Sequence, residues 1–142
     1  MATTSTARTH WEGSLLEGAG TTELVTSGVA TFDVAWSKRA ESGAGTTNPE
    51  ELVAAALATC YSMALSNGLA KNGTAPTSLD TEVGVDFVPG TGITGATIRV
   101  KADVPGLTAE EFGKFAEDTK QNCPVSQALS GVEKTLEVEF AG

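Results

Sequence analysis

Histidine, cysteine and arginine are almost missing from this chain, and each scarcity closes off a chemistry. One histidine and two cysteines far apart in sequence offer no zinc-ligand spacing. The cysteines do not form a Cys-x-x-Cys pair, which argues against a dithiol oxidoreductase acting on proteins. Arginine occurs only at Arg8, Arg39 and Arg99, and the 9 basic residues face 18 acidic ones. A net charge of −9 without a basic stripe makes nucleic acid a poor partner. The start, Met1-Ala2-Thr3-Thr4-Ser5-Thr6, lacks a basic segment followed by an apolar run, so a cytoplasmic protein without a secretory signal is expected. These six small polar residues, 1–6, are expected to be a disordered tail. In a reducing compartment any cysteine pairing is transient and catalytic rather than structural. The 142 residues fit a single domain, 1–142, which buries about two-thirds of its unfolded surface and needs no disulfide scaffold.

One stretch is unusually apolar. From Leu52 to Leu65 there is no charge, no glycine and no proline. Asn48 suits an N-cap, Pro49 the first helical position, and Glu51 the return arm of a capping box. Lys71 and Gly73 suit the other end. The spacing predicts a long helix apolar on all sides, hence buried on all sides. It is too short and alanine-rich for a membrane span. A single chain with small sheets does not cover such a helix, which points to an obligate dimer with the helix in a shared core.

Around it the pattern reads as strands. Residues 7–13, 21–27 and 29–36 form a first group, with Gly18-Ala19-Gly20 breaking the chain and 37–47 as a loop. Leu79 to Phe87 and Ala96 to Ala102 alternate apolar and polar residues about a Pro89-Gly90 turn, an antiparallel hairpin. Thr108-Ala109-Glu110-Glu111 opens a helix whose inner face is Phe112, Phe115, Ala116 and Thr119. A short helix from Pro124 to Ser130 and a strand through Leu136, Val138 and Phe140 finish the chain. The class is α+β, with antiparallel sheets around the long central helix.

The cysteines differ in setting. Cys123 precedes Pro124 at an N-cap, where free N–H groups favour a thiolate. Cys60 lies about ten residues into its helix, beyond the reach of the helix dipole, and burial alone disfavours its charged form. A nucleophilic Cys60 therefore needs an external cation. Arg99 faces out of a strand and Arg8 lies near the chain start, which leaves Arg39. Glu50 sits roughly 15 Å along the helix from Cys60 and about 80° round it, so the two cannot touch within one helix. It either orients Arg39, meets Cys60 of a second subunit, or simply favours the helix N-terminus.

Asn48-Pro49-Glu50-Glu51-Leu52 leading to Cys60-Tyr61-Ser62-Met63-Ala64-Leu65, with Asn122-Cys123-Pro124-Val125-Ser126-Gln127 later, resembles the OsmC/Ohr family, the osmotically inducible and organic hydroperoxide resistance proteins. His10-Trp11-Glu12-Gly13, and Arg39 just before the helix, look like the OsmC branch. Leu57 stands where some relatives have histidine, and Tyr61 where phenylalanine is common. The resemblance implies an intertwined homodimer and a thiol peroxidase without metal, haem, flavin or other cofactor. It implies Cys60 as peroxidatic cysteine, Cys123 as its resolving partner in a redox-active disulfide, and Arg39 with Glu50 as the pair that sets the thiolate across the subunit interface. The implied substrate is an organic hydroperoxide, with hydrogen peroxide reduced more weakly. The implied reductant is an external dithiol or lipoylated protein, and the setting is stress defence. An apolar wall of Leu52, Val53, Leu57, Met63 and Phe112 is expected to take the substrate's tail. The alternative is a non-catalytic stress-induced binding protein on the same fold.

Overall fold

The computed structural model describes residues 1–40 and 45–142, with the side chains of Lys38 and Ala40 left aside. The part of the expected loop at 41–44 lies outside the described residues. The chain divides into two compact units, Met1–Leu52 and Val53–Gly142.

The first unit is a three-stranded antiparallel sheet, β1 (Ala7–Glu12), β2 (Ala19–Leu24) and β3 (Thr31–Val34), in that order. Of the glycines expected to break the chain, Gly18 does lie in the turn before β2, but Gly20 is part of the strand and pairs with both Trp11 and Val34. The reason is space rather than turning: a Cβ on Gly20 would run into the backbone oxygen of His10. The supposed tail is tied in at its end, because the Thr6 carbonyl accepts from the N–H groups of Val25 (3.0 Å) and Thr26 (3.1 Å). After β3 the expected loop begins with a single helical turn, α1 (Ser37–Ala40). The N–H of Thr47 then donates to the Asp33 carbonyl at 2.9 Å, which seats the start of the long helix α2 (Pro49–Lys71) beside β3.

Both ends of α2 are closed as the residues dictate. Asn48 Oδ1 accepts from the Glu51 N–H at 2.8 Å. At the C-terminus Gly73, at φ 79°, lets its N–H reach the Ala70 carbonyl and that of Thr74 reach Leu69, both at 3.0 Å. At 23 residues α2 is long and apolar enough to cross a membrane by length and composition alone. In the second unit, however, Leu57, Tyr61, Leu65 and Leu69 stand on one stripe at i, i+4 spacing, and all four are fully buried in protein. Each contributes about 1.5–3 kcal/mol of burial. On the opposite side Met63 is 69% exposed. Burial on all sides therefore does not hold for a single copy.

The rest of the second unit is β4 (Ser78–Val88), β5 (Gly92–Asp103), α3 (Ala109–Asn122), α4 (Pro124–Ala128) and β6 (Lys134–Ala141). The β4–β5 hairpin is antiparallel as expected, and its apolar positions, Ile98 and Val100 among them, join the core with the α2 stripe. The polar face points away, where Arg99 pairs with Glu82 and Glu137. β6 departs from the antiparallel expectation: it lies parallel to β5, so this sheet is mixed. The α3–α4 connection returns the chain to the end from which β5 started, which only a parallel strand can follow. The capping box of α3 forms, with Glu111 N–H to Thr108 Oγ1 at 3.2 Å and Thr108 N–H to Glu111 Oε2 at 2.9 Å. Phe112 stacks on Phe140 of β6 with ring centroids 5.0 Å apart. The Tyr61 hydroxyl donates to the Ala116 carbonyl at 2.9 Å, pinning α2 to α3 one residue after Cys60.

Candidate active site

In the first unit the structure joins Arg39 to Glu50. The α1 turn is closed by the Arg39 N–H donating to the Trp36 carbonyl at 2.9 Å. The seating of Thr47 on β3 brings the first turn of α2 to the same place. There the two glutamates divide their work. Glu51 accepts the Thr47 hydroxyl and stays with the helix start, while Glu50, 5% exposed, turns inward. Its Oε1 accepts from Arg39 Nε at 3.0 Å, and its Oε2 is buried without a hydrogen-bond partner, as is the Thr46 hydroxyl. A buried carboxylate thus fixes the direction of a guanidinium whose side chain is 36% exposed. Arg39 also lines a cavity of about 360 Å³ within this unit, together with Trp11, Leu15, Val34, Trp36 and Leu52. Of the apolar wall expected from sequence only Leu52 belongs there; Leu57 and Phe112 are fully buried in the other unit's core and present no surface.

In the second unit the two cysteines, far apart in sequence, meet as free thiols. α2 carries Cys60, half-buried, and the turn from α3 to α4 carries Cys123, 1% exposed. That turn exists because Pro124 cannot continue α3: the Cys123 N–H closes α3 on the Thr119 carbonyl at 3.0 Å, and Cys123 then takes extended backbone at φ −63°, ψ 142°. Cys123 is the N-cap of α4, as expected. The thiolate expected there is not supported. Burial pushes the Cys123 thiol up, and the neighbouring Cys60 adds to the rise. The backbone N–H groups of Ser126 and Val125 pull the other way without prevailing, and Cys123 makes no proper side-chain capping bond. The Val125 N–H also reaches the other sulfur, donating to Cys60 Sγ at 3.5 Å. This backbone donor is the site group that sequence reading missed. Its only trace in the sequence is Pro124, which opens the turn.

The pair therefore has an asymmetric chemistry. Cys60 is reachable and receives a backbone hydrogen bond. Cys123 is sealed, protonated and in contact with it. That is an arrangement for one sulfur to be oxidised and the other to close on it. A larger hollow of about 690 Å³ in this unit is rimmed by Glu82, Arg99, Lys101 and Glu137, and neither cysteine lines it. Its charged rim sets it apart from this chemistry.

The chain is similar to known proteins in sequence and in fold. Residues 42–139 match the family model described as OsmC-like protein. The chain is 40% identical over 134 residues to the protein named peroxiredoxin OsmC of Escherichia coli K12, covering 92% of each. It is 33% identical over 92 residues to the organic hydroperoxide resistance protein of Xanthomonas axonopodis pv. citri, covering 63% of each. The fold matches the solved structure of an OsmC-like protein of unknown function from Vibrio cholerae, with a TM-score of 0.75 and 18% identity, covering 96% of this chain and 99% of that one. The matched segment contains both cysteines and Glu50, and the chain belongs to the OsmC-like protein family.

Proposed function

We propose that the chain reduces organic hydroperoxides, and hydrogen peroxide more weakly, with Cys60 as nucleophile and Cys123 as resolving thiol. It is a thiol-dependent peroxidase of stress defence. The observation that carries the residue assignment is the meeting of the two free thiols, the accessible one hydrogen-bonded and the sealed one held protonated. The Cys60 thiolate attacks the distal oxygen of R–O–O–H. The S–O bond forms, the O–O bond breaks, and the alkoxide takes a proton to leave as the alcohol. The Cys123 thiol then closes on the sulfenic acid, the S–S bond forms, and water leaves with the Cys123 proton. A dithiol, free or carried on a lipoylated protein, reopens the disulfide by exchange. No metal, haem or flavin enters this sequence of steps.

Arg39, directed by Glu50, is assigned the stabilisation of the Cys60 thiolate, on the strength of the family resemblance and the Arg39–Glu50 bond. The apolar lining of the cavity beside Arg39 suits an organic tail. A homodimer is part of the same reading: exposed Met63 on α2 and Val138 on β6 in the second unit, and Leu16 and Val29 in the first, are the kind of apolar surface a second copy covers. A cytoplasmic location keeps both thiols reduced between turnovers.

Consumption of cumene hydroperoxide with a dithiol tests the assignment. Cys60→Ser is expected to abolish turnover. Equal consumption by wild type and Cys60→Ser removes Cys60 from the reaction and leaves the binding-protein alternative.

A further inference from the structure

The sulfur of Cys60 rests against a backbone group that no motif marks. The Val125 N–H points at Cys60 Sγ from 3.5 Å. Val125 is the second residue of α4, so this N–H has no backbone acceptor within its own helix, and the other sulfur it bears on is that of Cys123. Pro124 has no N–H to offer, and the N–H of Gln127 is already taken by the Cys123 carbonyl at 2.9 Å. The surrounding turn is tightly held. The buried Ser126 hydroxyl donates to the Lys120 carbonyl, and Lys134 Nζ donates to the Leu129 carbonyl at 2.8 Å. The donor is thus fixed backbone rather than a side chain that swings in and out.

We infer that the Val125 backbone N–H is a catalytic donor that holds the Cys60 thiolate, so that the resolving turn prepares the nucleophile before it resolves it. The inference rests on Cys60 being the nucleophile. An N–H bonds a thiolate more strongly than a thiol, so the contact favours the ionised form. Cys123 is the titratable group that bears on Cys60 from the same turn, and it shares the Val125 N–H. One short segment, Cys123-Pro124-Val125, therefore serves both half-reactions.

The test replaces the Pro124–Val125 amide by an ester, using the hydroxy-acid analogue of valine, which removes the N–H and keeps the side chain. The pH profile of Cys60 alkylation is expected to move up by about one unit. Single-turnover oxidation by tert-butyl hydroperoxide should fall about threefold near neutral pH, then exceed wild type at alkaline pH, because a more basic thiolate is the better nucleophile. Curves that superimpose on wild type, or lie below it by one factor at every pH, overturn the inference. The same ester at Gln127 breaks a backbone bond of the turn without touching Cys60 and should leave the profile in place; an equal shift there also overturns it. If the ester protein fails to fold, the Val125 amide proton of the wild type decides. It should move downfield as Cys60 ionises and stay fixed in Cys60→Ser, and a resonance indifferent to Cys60 ionisation refutes the bond. Loss of turnover in Cys60→Ser with no effect of the ester defeats this inference alone, whereas turnover retained in Cys60→Ser defeats the reading beneath it.

Discussion

Tyr61→Phe separates architecture from chemistry at the residue beside Cys60. Tyr61 is fully buried, and its hydroxyl donates to the Ala116 carbonyl at 2.9 Å. That carbonyl lies mid-helix in α3 and keeps its own helical partner, so the variant loses one net hydrogen bond and orphans nothing. The cost is about 1 kcal/mol, or a fall of about 2–4 °C in Tm for a chain of this size. The pH dependence is sharper. Burial, with smaller contributions from Glu117 and Cys123, holds the folded phenol well above the ordinary tyrosine value. A group raised on folding stabilises fully below its unfolded value and loses that contribution as pH climbs past it. The window therefore opens near pH 10, where the unfolded phenol ionises, and by pH 11 wild type has lost about 1.4 kcal/mol that Tyr61→Phe retains. The roughly 1 kcal/mol deficit of the variant at pH 8 should thus close, and the two stability curves should cross between about pH 10 and pH 11. Urea melts at pH 8 and 11 under reducing conditions measure this, and Cys123 and the lysines cancel in the comparison. Peroxidase activity at pH 8 should stay within about twofold. A stability difference that is the same at both pH values refutes the burial argument. A tenfold loss of activity at the modest stability cost would move Tyr61 into the reaction.

Cys123→Ser should leave the first turnover and lose the second, so that excess peroxide drives Cys60 to sulfinic and sulfonic acid; intact-mass spectra still showing a reduced Cys60 contradict this. Because burial holds the Cys123 thiol up, disulfide closure in wild type should accelerate through the alkaline range, and a flat pH profile of that second phase argues against a proton loss from Cys123. Arg39→Ala should slow Cys60 alkylation and, by leaving Glu50 buried without its cation, cost about 1–3 kcal/mol; Arg39→Ala with Glu50→Gln should be the more stable of the two, and denaturant melts showing the reverse refute the pairing argument. Leu57→Ala, at a fully buried position of the α2 stripe, should cost about 2–5 kcal/mol, and a loss under 1 kcal/mol would mean the site is not core.

Much of the protein was legible in one dimension because its determinants are local. The cap at Asn48, the Gly73 terminus, the box at Thr108 and the break at Pro124 each depend on a side chain and a backbone group within a few residues. The alternation in β4 and β5 and the division of Arg99 from the apolar face follow from the two-residue period of a strand. The family resemblance points to Cys60, Cys123, Arg39 and Glu50 through residue identity alone. What the sequence does not carry is the competition between long-range terms. Gly20 reads as a breaker until the backbone of His10 is seen to need its missing Cβ. The direction of β6 depends on where α3 and α4 release the chain. Cys123 reads as a thiolate because an N-cap favours one, yet the core that closes over it is assembled from α2, β5 and α3, and desolvation prevails. The same folding brings the Val125 N–H to Cys60, 65 residues earlier in the chain. Sequence by itself pointed to the two cysteines; only the tertiary structure decided which sulfur is sealed and which is reachable, because burial and donor geometry are properties of segments distant in the chain.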